Sequence, residues 1–111
     1  MQPTLLVMTS LPDTASARTL AQALVEQRLA ACVNLLAPCQ SIYRWKGHIE
    51  SGTEIPLCIK TPARLYDKVE ATIRAHHPYE LPEIVAVSIT AALPAYLDWV
   101  ASETTPDTES A

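Results

Sequence analysis

The chain holds only two glycines and no run of basic residues in its 111 positions. It offers no glycine-rich phosphate loop, no nucleophile elbow and no zinc-protease motif. The formal net charge is −4 and the pI is near 5.2, a poor match for a nucleic-acid backbone. No apolar run approaches the roughly 20 residues that span a bilayer. The first basic residue is Arg18, so the positive n-region of a secretion signal is missing. These absences predict a soluble, cytoplasmic protein with no nucleic-acid or membrane partner. Cys32, Cys39 and Cys58 are odd in number and show no C-x-x-C spacing. They read as reduced, partly buried thiols, with a thiolate metal ligand as the alternative. A disulfide framework does not fit a chain without an export signal. A Cys58–His77 pair has nothing in the spacing to bring it together, so no enzyme is expected.

Apolar residues make up 49% of the chain and charged residues 18%, an ordinary globular balance. The length fits one domain with a small core. Residues 1–102 are expected to form it, with 103–111 as a flexible acidic tail.

Thr4 to Thr9 is a short apolar run that reads as a buried strand. Asp13 then offers a helix N-cap. Ala17, Leu20, Ala21, Leu24 and Val25 follow with helical spacing, predicting a helix over about 14–28. Ala31 to Trp45 reads as extended, and Lys46-Gly47 as the loop of a hairpin. From Ile49 to Ile59 apolar and polar residues alternate with period two, a strand signature. Thr61 is an N-cap candidate with Pro62 at the first helical position. Leu65, Val69, Ile73 and His76 share one face of this second helix. Glu83 to Thr90 is a strand rich in β-branched residues, and Pro94 starts a third helix. The order is β-α-β-β-α-β plus a terminal helix: an α+β, ferredoxin-like arrangement with a long central hairpin.

His76-His77-Pro78-Tyr79-Glu80-Leu81-Pro82-Glu83 gathers imidazoles, carboxylates and a phenol into eight residues stiffened by two prolines. His76, His77, Glu80 and Glu83 are the metal-ligand candidates. Imidazole and carboxylate suit Cu(II) and other divalent transition metals. The competing reading makes the histidines caps or core-edge residues and pairs the glutamates with cations.

The hairpin predicts an oligomer. A two-residue turn at Lys46-Gly47 sets Pro38 opposite Ile55 and Pro56 opposite Ala37. Neither proline can donate a ladder hydrogen bond, so a bulge or bend is expected there. Strands of about fifteen residues span about 50 Å, against a diameter on the order of 35 Å for a compact domain of this length. The outer arm, residues 39–54, carries Ile42, Tyr43, Trp45 and Ile49. An isolated ribbon of that kind is marginal in water, so the arm should pack on another subunit.

Several motifs in order carry a resemblance. They are Leu29-Ala30-Ala31-Cys32-Val33-Asn34, Ser41-Ile42-Tyr43-Arg44-Trp45-Lys46-Gly47, Ile59-Lys60-Thr61, His77 through Ile84, and Tyr96-Leu97-Asp98-Trp99. From Thr4 to about Val100 the chain resembles the CutA family of divalent-cation tolerance proteins. The resemblance implies a ferredoxin-like homotrimer joined by long hairpins, linked to tolerance of divalent metals, notably copper. Its trimer is similar to that of the PII signalling proteins, an analogy of fold alone. Some bacterial relatives carry a cysteine proposed as a copper ligand at the end of the first strand. The matching residue here is Thr9, whose hydroxyl suits soft Cu(I) poorly, and Met8 beside it points to the other sheet face.

Tyr43, Trp45 and Tyr79 read either as subunit-interface aromatics or as the walls of a small-ligand cleft, with Lys60 supplying charge for an anion. Three functions follow: a metal-tolerance homotrimer, a PII-like module binding a small anionic ligand at intersubunit clefts, or a trimeric scaffold that docks another protein.

Overall fold

The computed structural model describes residues 3–106. Strand β1 (Thr4–Leu11) leads into helix α1 (Thr14–Glu26). Strands β2 (Cys32–Leu35), β3 (Cys39–Trp45) and β4 (His48–Pro62) follow. A 3-10 turn at Ala63–Leu65 opens onto α2 (Tyr66–His76), then β5 (Ile84–Ser88) and α3 (Pro94–Glu103) complete the chain. The expected α+β order is the one found. The sheet runs β2-β4-β1-β5, and all its pairings are antiparallel.

Asp13 caps α1 as expected, its carboxylate accepting from the Ser16 N–H at 2.7 Å. The helix ends at Glu26, two residues early, because the chain turns into the left-handed region at Arg28, with φ 57°. The core joins Val7 and Leu11 of β1, Ile55, Leu57 and Ile59 of β4, and the inner faces of α1 and α2. Period two along β4 sets every second residue toward the helices.

The hairpin turns at Lys46-Gly47, with φ 49° and 84°, the left-handed pair that a two-residue loop requires. From Trp45↔His48 to Cys39↔Glu54 the ladder keeps the expected register. On the far side of the prolines Leu35 faces Leu57. Residues 36–38 therefore oppose only Ile55 and Pro56, a bulge at the expected level. Beyond it one face of the arm is exposed and the other only partly covered, and the molecule measures 52 × 29 × 23 Å.

Two local expectations need correction. Thr61 does not cap α2: it is buried at the end of β4, and its hydroxyl donates to the Leu29 carbonyl at 2.7 Å. His76 is exposed at the end of α2 rather than part of its apolar face. Glu103 closes α3, Thr104 is buried and bonds to the Val100 carbonyl, and Arg28 and Arg64 donate to the Glu103 and Thr104 carbonyls. Residues 107–111 of the expected tail lie outside the described residues.

Candidate functional site

Residues 76–83 carry the chain from the last turn of α2 to β5. Pro78 forces His77 out of the helix, to φ −89° and ψ 131°. His77 thereby swings across to β1, where its Nε2–H donates to the Ser10 carbonyl at 2.6 Å. Its Nδ1 accepts from the Tyr79 N–H at 3.2 Å. A carbonyl can only accept and an amide N–H can only donate, so these partners fix the neutral Nε2–H tautomer. Both ring nitrogens are occupied. The imidazole also stacks at a tilt on Tyr79, with ring centroids 4.6 Å apart.

The other three metal-ligand candidates stand apart from it. His76 donates from Nδ1 to the Thr72 carbonyl at 3.0 Å, an interaction that closes the helix end. Glu80 pairs with Lys46 at 3.5 Å in the open, and Glu83 is exposed. Among the described residues no group of three or more His, Cys, Asp or Glu side chains is placed to hold a metal. The four candidates do not fit a preformed metal centre in one protomer. Thr9 is buried on the core side of β1, and its hydroxyl has no hydrogen-bond partner among the described residues.

The aromatic candidates do come together. Tyr43, Trp45 and Tyr79 line an open groove of about 880 Å³ between the hairpin arm, the connector and the start of β5. Glu54, Glu80 and Glu83 share its wall with Arg44. Three carboxylates against one guanidinium make this a seat unsuited to an anion. Lys60 lies outside the groove, on β4, where its ammonium donates to Asn34 Oδ1.

Glu54 organises the groove. It accepts from Ser41 Oγ at 2.6 Å and from the Tyr79 phenol. Partial burial, then the Glu54 hydrogen bond and charge, push the Tyr79 phenol up to about 12, with smaller contributions from Tyr43 and Asp13. Tyr79 therefore stays a neutral donor that ties the connector to the arm. Ser41 and Glu54 escape a motif-based reading because a serine and a glutamate in alternating strands look like ordinary surface. Extending the hairpin register from the turn would bring them within reach of each other.

A model of the CutA1 divalent ion tolerance protein family matches residues 5–103. The divalent-cation tolerance protein CutA of Thermus thermophilus is 44% identical over 98 residues, which cover 88% of this chain and 95% of that one. Protein CutA of Mus musculus is 44% identical over 89 residues, and that of Homo sapiens 43% over 89. The chain spans about half the length of those two mammalian proteins, 50% in each case. Among solved structures, the Thermus thermophilus protein superposes with a TM-score of 0.89 at 42% identity, covering 92% of this chain and 99% of that one. CutA of Xylella fastidiosa gives the same score and identity over 92% and 98%. Fold, motif order and end-to-end similarity agree: the chain belongs to the CutA1 divalent ion tolerance family.

Proposed function

We propose that the protein is a non-enzymatic, cytoplasmic homotrimer that supports tolerance of divalent cations. The observation that carries the trimer is the hairpin arm. Ile42 and Ile49 are 75% and 71% exposed on a two-stranded ribbon that a single chain leaves uncovered. Val85 and Val87 on edge strand β5 and Leu81 on the connector are exposed as well. Apolar side chains in such numbers support a subunit interface. The groove beside the arm, with its aromatic walls, is read as part of that interface rather than as a cofactor cleft.

Divalent transition metals such as copper are held weakly at exposed donors, led by His76. Its Nδ1–H faces Thr72, which leaves Nε2 as the acceptor nitrogen of an exposed ring. Calorimetric titration with Cu(II) should give weak saturable heat that falls in His76→Ala. Heat unchanged by that substitution contradicts the assignment. For the biological role, a host lacking this gene should grow poorly in excess copper and recover with the wild-type chain. Unaltered growth of the deletion strain across divalent metals contradicts the tolerance role.

A further inference from the structure

The motif Tyr96-Leu97-Asp98-Trp99 belongs to neither the arm nor the connector, and its middle residues border a second cavity, of about 270 Å³. One side of the cavity is the end of the β1–β4 ladder farthest from the arm, where Thr4 faces Pro62. The loop after β5 and one face of α3 close it. It shares no lining residue with the groove, and neither Val85 nor Val87 borders it. Its polar side chains are Thr4, Thr90 and Asp98. Thr4 is only 7% exposed, yet its hydroxyl makes no hydrogen bond among the described residues. A hydroxyl enclosed that far gains from a partner. The Asp98 carboxylate is exposed and has no cationic partner among the described residues. The start of α3 is a poor anion seat, because Pro94 lacks an N–H and the Tyr96 and Leu97 N–H groups donate to the Leu93 carbonyl. The cavity therefore favours positive charge.

We propose that this cavity binds a small aliphatic amine in its ammonium form, with the charge on Asp98 and the carbon chain along Pro62, Leu97 and Ala101. A primary ammonium carries three donors and no acceptor, which suits one carboxylate and the Thr4 and Thr90 hydroxyls. A quaternary ammonium fits worse, because no aromatic ring lines the cavity among the described residues. A divalent metal fits worse too, since a single carboxylate is far from the oxygen set such an ion takes. At roughly 30 Å³ per water the cavity holds about nine waters, so the ligand has at most about nine non-hydrogen atoms. A molecule that small makes few contacts, and millimolar affinity is expected. The site is separate from the exposed imidazole donors and from the arm, so it stands whether or not the chain binds copper.

The test is an NMR titration of the isotope-labelled full chain with n-butylammonium chloride and, in parallel, with n-butanol, which has the same carbon chain and no charge. The expected result is saturable amide shifts confined to Thr4, its neighbours and residues 90–101. Losing one charge-assisted contact should make n-butanol about tenfold weaker. Asp98→Asn changes an exposed side chain and should fold normally, and it should bring the two probes to equal affinity. Thr4→Val keeps the side-chain shape and should weaken n-butylammonium binding. No saturable shift in the wild type, equal affinity of the wild type for n-butanol, or undiminished n-butylammonium binding in Asp98→Asn or Thr4→Val overturns the proposal.

Discussion

His77 shows how a residue that looks like a ligand can be a brace. Its two hydrogen bonds join α2, the connector and β1 across 67 positions of sequence. Removing the ring strands a buried-side carbonyl and an amide, so His77→Ala should destabilise the fold by about 1–3 kcal/mol. His76→Ala, at an exposed helix end, should stay within about 0.5 kcal/mol of wild type. Urea denaturation separates the two, and equal effects would contradict these roles. Thr9 predicts the opposite sign. Its orphaned hydroxyl is buried among apolar side chains, so the isosteric Thr9→Val should be neutral or stabilising by about 1 kcal/mol. Tyr79 gives a pH dependence. Its phenol holds its proton to about 12 in the fold but ionises near 10 when unfolded. The native state binds the proton more tightly, so this contribution is complete below pH 10 and is lost as the pH rises from 10 to 12. Tyr79→Phe should flatten that alkaline loss in a pH series of thermal unfolding.

At the scale of elements, the hairpin was the most legible part of the sequence. Lys46-Gly47 sets the turn, and the two prolines interrupt the ladder where simple pairing from that turn puts them. Both effects are local sterics, which a sequence states directly. Gly47→Ala forces a side chain into the left-handed region and should cost about 1–2 kcal/mol, read as a lower urea midpoint at unchanged slope. What sequence hides is the distant partner. Thr61 carries every local mark of an N-cap, yet Leu29 supplies a buried carbonyl that claims its hydroxyl and prolongs the strand. Lys60 has the strand-end position of an anion-binding charge, whereas the fold pairs it with Asn34 across the sheet. The connector's chemistry was legible by composition alone. Its geometry was not, because the carbonyl that orients His77 belongs to β1 and the carboxylate that holds Tyr79 belongs to β4.

The whole molecule is longer than its core requires. Helices α1 and α2 cover only the inner half of the hairpin's reach, and the arm carries apolar side chains into solvent. That imbalance, together with exposed Val85 and Val87 on the edge strand, supports assembly as the state in which the fold is complete. Replacing Ile42 and Ile49 with glutamate should leave the protomer core untouched and weaken association, seen as a smaller species that retains helical circular dichroism. The most direct measurement is the molar mass in solution by size-exclusion chromatography with light scattering. A homotrimer gives three times the 12.1 kDa of one chain at micromolar concentration. A mass of 12.1 kDa there would contradict it.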